Sequence, residues 1–311
     1  MEIFESNFNI DKYGPCVLAL GNFDGVHIGH TSLFEKAREY AEVNNIFFGV
    51  YTFLDAPKFK NAHRSILTDT QDRLSLIGCL SDCDFLYFEH FDDVKDFSPE
   101  EFVDFIIEKF GCVCCVCGEN FSFGKCAAGN SHTLELLMKQ RQKDCIIVNS
   151  KMYKDNVVSS TLIKDLISEG DVETVCRLMK PYGFTSKVLH GEHIGHSLGF
   201  PTVNQIIPEK LVEPKFGVYA TLVVVDGKEY LGVTNFGIKP TVSGNNSQPR
   251  AETFIVDYEC EIYGRYVGLY FLKMLREEKR FSSLDELKEN IALDVEKAKL
   301  YYKELKVKNE A

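Results

Sequence analysis

Across residues 16–148 short apolar runs alternate with amphipathic stretches, and beyond residue 182 that rhythm gives way to apolar runs alone. This change constrains the fold more than any other feature of the chain. The runs at 16–20 (CVLAL), 46–53, 85–88, 113–117 and 145–148 have strand length. Between them, residues 31–41, 69–80, 98–110 and 131–141 carry a helical period. Ser98-Pro99-Glu100-Glu101 is a capping box with proline at the first helical position, and Gly111 stops that helix. Strands alternating with helices predict a parallel sheet covered on both faces. From Tyr182-Gly183 onward, residues 185–189, 218–225, 229–235, 252–257 and 266–272 read as strands, with Asp226-Gly227 as a two-residue hairpin turn. They predict an antiparallel sheet or small barrel. One helix closes the chain, with Ser283-Leu284-Asp285-Glu286 as its capping box and Leu287, Ile291 and Val295 on its apolar face. The expected domains are therefore 1–183 and 184–311.

The 311 residues suffice for two cores. Lys and Arg total 35 against 46 Asp and Glu, a net charge of −11. That balance argues against nucleic acid or a membrane surface as a partner, but not against a phosphate held by a few local donors. The acidic N-terminal stretch has no signal-peptide character, and no apolar run reaches spanning length. In such a chain the 11 cysteines read as reduced thiols, and the expected compartment is the cytoplasm. Oligomeric state is not readable. The overlapping Cys-x-x-Cys spacings of Cys112, Cys114, Cys115 and Cys117 belong to a strand, which sends alternate thiols to opposite faces, so a core strand is expected rather than a metal or iron–sulfur site.

The segment Gly21-Asn22-Phe23-Asp24-Gly25-Val26-His27-Ile28-Gly29-His30 follows an expected strand and opens an expected helix. Parallel-sheet proteins bind nucleotides at that place, where glycines admit the ligand and the helix start offers N–H groups to phosphate. Two imidazoles three residues apart can reach one phosphate chain. His-Ile-Gly-His recurs at 193–196, but without a preceding strand. With His190 it forms a histidine trio in a Gly-rich stretch that lacks the fixed shell of a metal site. Residues 118–125 approach a P-loop but have five residues between the glycines, and Cys126 replaces Ser or Thr.

GNFDGVHIGH resembles the nucleotidyltransferase signature of bacterial FAD synthetases. The resemblance continues through Leu67-Thr68, GENFSFG (118–124) and SSTLIK (159–164). The second half is similar to riboflavin kinase in LGFPTVN (198–204), FGVYA (216–220), GVTNFGIKPT (232–241), AETFIVDY (251–258) and Leu275-Arg276-Glu277 before Phe281. Two motif sets in family order over nearly the whole chain resemble the bifunctional riboflavin kinase/FAD synthetase family. The resemblance implies a Rossmann-like nucleotidyltransferase domain over 1–183, and a small antiparallel β-barrel kinase domain with a C-terminal helix over 184–311. It implies phosphorylation of riboflavin by ATP to FMN in the second domain. In the first, AMP passes from another ATP to FMN, giving FAD and pyrophosphate. Mg²⁺ is the implied cofactor.

On the adenylylation side the resemblance implies His27 and His30 as catalytic phosphate contacts. Gly21, Asn22, Phe23, Asp24 and Gly29 would contact ATP, and Asn120, Phe121 and Phe123 the flavin. Ser159, Ser160, Thr161 and Lys164 would form a second phosphate loop, with Lys164 where the family usually has Arg. On the kinase side it implies Glu252 as general base on the riboflavin hydroxyl. Thr202 and Asn204 would be Mg²⁺ and phosphate ligands. Gly191, Gly195 and Gly199 would cradle ATP phosphate, and Arg276 would contact the flavin.

Three departures keep alternatives open. Residues 54–57 lack the family's Pro-His-Pro, having Ala56 before Pro57. His196 replaces the Arg that usually follows Gly195, and Lys239 stands at an Arg-like place. One activity could be lost, the kinase being the weaker, or the chain could bind flavin and nucleotide without turnover. A His-Ile-Gly-His aminoacyl-tRNA synthetase is the other enzyme reading. It wants a Lys-Met-Ser-Lys-Ser loop, of which Lys151-Met152-Tyr153-Lys154 is a partial echo. The acidic charge and the lack of an anticodon-type domain count against it.

Overall fold

A computed structural model describes residues 1–5, 7–56, 65–190, 199–238 and 248–310, of which residues 308–310 are described by backbone alone. The chain forms two compact units, Met1–Leu162 and Ile163–Ala311. This division falls earlier than the join expected at 183/184. The reason is packing: residues 163–178 present Ile163, Ile167, Val172, Val175 and Leu178 as a buried face. The Cys176 thiol reaches the Phe271 carbonyl at 3.6 Å, and Lys215 N–H donates to the Ile167 carbonyl at 3.2 Å, both within the second unit.

In the first unit, β1 (Glu2–Phe4), β2 (Cys16–Leu20), β3 (Phe47–Phe53), β4 (Phe85–Glu89), β5 (Cys112–Gly118) and β6 (Asp144–Val148) form a six-stranded sheet in the order β1-β4-β3-β2-β5-β6. Every pairing is parallel, as the alternation of strands and helices predicts. Side chains alternate across it. Leu18, Leu20, Tyr51, Phe85, Cys115 and Cys117 face one core, while Val17, Ala19, Val50, Leu86, Cys114 and Val116 face the other. The second core is covered by α1 (Ile28–Asn44) and α2 (Thr70–Ser81), the first by α3 (Pro99–Phe110) and α4 (Ser131–Gln140). The cysteine run is thus a core strand, and its thiols split between the faces. A register shift beside Cys112 returns that thiol to the side of Cys115, at 3.6 Å between sulfurs. All eleven cysteines are free. The capping box of α3 is reciprocal: Ser98 Oγ accepts from Glu101 N–H, and Glu101 accepts from Ser98 N–H at 2.7 Å.

The second unit begins within α5 (Ser160–Glu169) and continues with α6 (Val172–Leu178). Strands β7 (Gly183–Lys187), β8 (Thr202–Ile206), β9 (Gly217–Val225), β10 (Lys228–Gly237), β11 (Arg250–Ile255) and β12 (Tyr266–Glu277) then build an antiparallel sheet in the order β7-β12-β9-β10-β11-β8. Its ends approach closure. Leu189 N–H donates to the Asn204 carbonyl at 2.8 Å, and buried Gln205 Nε2 donates to the carbonyls of Val267 (2.8 Å) and Ser186 (3.1 Å). The result is a nearly closed barrel. Asp226 (φ 50°) and Gly227 (φ 75°) make the two-residue turn between β9 and β10, whose mirror-image geometry needs positive φ at both places. The last helix, α7 (Leu284–Glu310), packs on the outer face of the barrel through Ile291, Val295, Ala298 and Tyr302. Its capping box is shifted by one residue. Ser283 Oγ accepts from Glu286 N–H at 3.1 Å, but the Glu286 carboxylate takes the N–H and hydroxyl of Ser282 instead of the Ser283 N–H.

Candidate active sites

The strand order of the first unit reverses between β2 and β5, the place where parallel sheets open a crevice at the carboxyl ends of their strands. A cavity of about 320 Å³ lies there, walled by Leu20 at the end of β2 and Gly21 after it, Gly118 at the end of β5, Val148 at the end of β6, and Phe53 at the end of β3. The GNFDG turn is tightly wound: Phe23 (φ 48°), Gly25 (φ 82°) and Val26 (φ 41°) all lie in the left-handed region. The Phe23 ring folds back so closely that a Cβ on Gly21 would meet its Cζ at 2.9 Å, so any side chain there would displace the buried ring. His27 is the N-cap of α1, and no side chain caps that helix start. The His27 ring stacks on the His30 ring with centroids 3.7 Å apart and planes 18° from parallel. Both line the cavity, so two imidazoles and an uncapped helix start converge where an anion can bind.

The expected residues are distributed unevenly around this cavity. Gly21, Asn22, Phe23, His27, Gly29, His30, Asn120, Phe121, Ser159 and Ser160 line it. Phe123 does not; it is buried behind Phe121, with their rings stacked at 5.7 Å. Asp24 is fully buried, and its carboxylate accepts from the N–H groups of Leu67 (2.9 Å) and Thr68 (3.2 Å), which ties residues 67–68 to the turn. Thr161 follows on α5 outside the lining, and Lys164 lies on the same helix in the second unit. Ala56 is buried, and residues 57–64 lie outside the described ones.

Arg73 escaped the sequence reading. It is 1% exposed, and its guanidinium donates to the Phe53 carbonyl (2.7 Å) and the Asn22 carbonyl (3.2 Å), joining two walls of the cavity. Burial pulls its pKa down to about 10 against the opposing pull of the Asp24 carboxylate, so it stays charged at neutral pH. Nothing in its spacing marked it, because its partners are backbone carbonyls on other elements.

In the second unit a cavity of about 660 Å³ opens between the barrel's outer face and α7. Glu252 on β11 stands in register with Asn204 on β8 and Asn235 on β10. Residues directly opposite in an antiparallel pair share a face, so the carboxylate is flanked by two amides. Thr202, Asn235 and Glu252 line one wall, and Asn204 is buried outside the lining. Asn235 lines this cavity from within the run Gly232–Thr241, where the resemblance implies no role for it. Across the cavity, Arg276 Nε donates to the buried Asp294 carboxylate at 2.9 Å, and its guanidinium lies 5.5 Å from the Phe281 ring centroid. On the opposite face of the strands, the buried hydroxyls of Thr221, Thr234 and Thr253 form a chain with 2.8 Å steps that fixes the strand carrying Glu252. Gly199 (φ 82°) is described but lines neither cavity. Gly191, Gly195, His193, His196 and Lys239 lie outside the described residues, while His190 stacks on Tyr263 at 4.1 Å.

Each cavity thus pairs polar groups suited to phosphate with aromatic walls suited to a planar ring. Comparisons with known proteins agree with that division. The FAD synthetase family matches residues 10–162, and the riboflavin kinase family matches residues 178–302. A bifunctional riboflavin kinase/FMN adenylyltransferase of Bacillus subtilis is 32% identical over 303 residues, covering 95% of each chain. That of Escherichia coli K12 is 32% identical over 295 residues, covering 90% of each. A crystal structure from Streptococcus pneumoniae, described as a macrolide-efflux protein, superposes with a TM-score of 0.84 at 26% identity, covering 96% of this chain and 99% of that one. No helix among the described residues here is long and apolar enough to cross a membrane. With both halves matched in order and relatives aligned nearly end to end, the chain belongs to the bifunctional riboflavin kinase/FAD synthetase family.

Proposed function

We propose that this chain makes FMN from riboflavin at the barrel cavity and FAD from FMN at the sheet cavity, with ATP as donor in both steps. The observation that carries the reading is that each half matching one of the two enzyme families holds its own cavity, lined by that family's motif residues.

At the barrel, the riboflavin hydroxyl oxygen attacks the γ-phosphorus of ATP while Glu252 receives its proton. Asn204 and Asn235 are the register neighbours of that carboxylate on the same face of the strands. Arg276, steadied by Asp294, is placed to contact the flavin. Thr202, Asn204 and Glu252 offer hard oxygen donors from neighbouring strands, a set that fits Mg²⁺. Thr202 and Asn204 would hold the ion, which when bound supplies charge neutralisation at the ATP oxygens.

At the sheet, an FMN phosphate oxygen attacks the α-phosphorus of ATP and pyrophosphate departs. His27, His30 and the start of α1 donate to the phosphate oxygens as their charge grows. Phe121, backed by Phe123, and Asn120 form the flavin side. The free thiols suit a reducing compartment, which favours the cytoplasm.

The test is chromatography of flavin products after incubating purified protein with riboflavin, ATP and Mg²⁺; FMN followed by FAD is expected. Glu252→Ala should abolish FMN formation and leave FMN-to-FAD conversion intact, and His27→Ala should do the reverse. FMN without FAD, or FAD only from added FMN, would show that one activity has been lost. If either substitution removed both activities from folded protein, the two-site reading would fail.

A further inference from the structure

We propose that Lys151 supplies the fixed positive charge that receives the departing pyrophosphate at the sheet cavity, an inference that rests on the adenylyl-transfer reading above. Among the described residues lining that cavity, Lys151 is the only Lys or Arg, and Glu119 is the only carboxylate. The reaction brings two polyphosphorylated anions together there. Imidazoles carry charge only when protonated, and a helix start offers about half a charge. A lysine ammonium stays charged throughout the neutral range.

The backbone places Lys151 on the phosphate side of the cavity. Met152–Tyr153 and Asn156–Val157 form a tight hairpin, with Lys154 (φ 53°) in its turn. Val158 N–H donates to the Lys151 carbonyl at 2.8 Å, so Lys151 and Val158 face each other at the hairpin's open end. A Cβ on Gly29 would lie 3.8 Å from the Val158 carbonyl oxygen. The open end therefore abuts the first turn of α1, beside His27 and His30. Ser159 and Ser160 follow in the cavity wall, and the Ser160 hydroxyl donates to the Asp24 carbonyl at 3.2 Å. The Lys151 carbonyl is thus held by the Val158 N–H, while the residue is exposed.

In the step concerned, the FMN phosphate oxygen forms a bond to the α-phosphorus of ATP. The bond from that phosphorus to the α–β bridging oxygen breaks, and its electron pair stays on pyrophosphate. Lys151 keeps its proton throughout and donates hydrogen bonds to the β- and γ-phosphate oxygens as their charge rises.

The experiment uses full-length Lys151→Gln and Lys151→Arg. Binding of inorganic pyrophosphate is measured by calorimetry, and FMN-to-FAD rates are measured against ATP concentration. Riboflavin phosphorylation in the same samples checks the fold. Lys151→Gln should weaken pyrophosphate binding and lower kcat/KM for ATP in FAD formation by roughly tenfold to hundredfold. Lys151→Arg, which keeps the charge, should stay within about threefold of the unaltered chain. Phosphorylation should be unchanged in both. The proposal is overturned if Lys151→Gln binds pyrophosphate and forms FAD as the unaltered chain does, or if Lys151→Arg loses as much as Lys151→Gln. If the unaltered chain forms no FAD from FMN and ATP, the adenylyl-transfer reading falls instead, and pyrophosphate binding still decides the role of Lys151.

Discussion

A methyl group added at Gly29 would sit 3.0 Å from Nδ1 and 3.1 Å from Cε1 of His27. Gly29 is helical, a place where alanine is favoured over glycine by roughly 1 kcal/mol. The His27 ring is buried and already stacked on His30, so it must shift by a few tenths of an ångström to admit the methyl. Gly29→Ala is therefore expected to hold or raise the unfolding temperature while slowing FAD formation roughly tenfold, because reacting groups tolerate little misplacement. Unimpaired FAD synthesis by a stable Gly29→Ala chain would show that the ring's position does not matter. The histidines were legible because strand, glycine turn and helix start are all written in ten consecutive residues. Arg73 and Asn235 were not, since each acquires its role from a neighbour supplied by another element: a carbonyl for Arg73, and the register partner Glu252 for Asn235. Asp24 has a structural part that its motif does not announce: one oxygen of its buried carboxylate accepts from the backbone of Leu67 and Thr68.

Elements were legible where local signals were complete. The helix at Pro99–Phe110 begins at a reciprocal cap and ends at a left-handed Gly111, and both ends fall where the sequence placed them. The strand Thr202–Ile206 carries the resemblance's ligand motif and no strand pattern, because its buried residues Asn204 and Gln205, on opposite faces, are polar and break any apolar alternation. Its burial comes from barrel closure, which no local pattern records. Helix α2 carries its own prediction. Asp72, in its first turn near Asp69, has its pKa pushed up to about 6, first by burial and then by the Asp69 charge. A carboxyl whose folded pKa exceeds the unfolded value of about 3.9 binds more protons when folded. Its favourable contribution to stability is full below about pH 4 and is lost as pH rises through 6. Asp72→Asn should thus change stability little at pH 4 and raise it by about 1 kcal/mol at pH 7, a figure reduced for partial exposure and for the lost helix-start attraction. Urea midpoints at the two pH values check this, and an equal shift at both would mean that Asp72 titrates normally.

At the scale of the whole molecule, the two cavities share no lining residue: one draws on residues 20–160 and the other on residues 200–294. Each has its own polar wall, its own aromatic wall and its own core beneath, so damage to one set of catalytic groups leaves the other set in place. This separation has a consequence for mixtures. On the proposed function, Glu252→Ala lacks the carboxylate assigned to the riboflavin proton but keeps the histidine pair, while His27→Ala keeps the carboxylate and loses half the pair. Neither chain alone should carry riboflavin through to FAD. Mixed in one tube with riboflavin and ATP, the His27→Ala chain should release FMN, and the Glu252→Ala chain should adenylylate it. FAD should then appear after a lag that shortens as either protein is raised, because the intermediate must travel through solution at a rate set by its concentration. Chromatographic time courses of the mixture read this directly. If each variant keeps its single activity yet the mixture makes no FAD, then FMN does not leave the chain that forms it, and the two cavities work as one enclosed system.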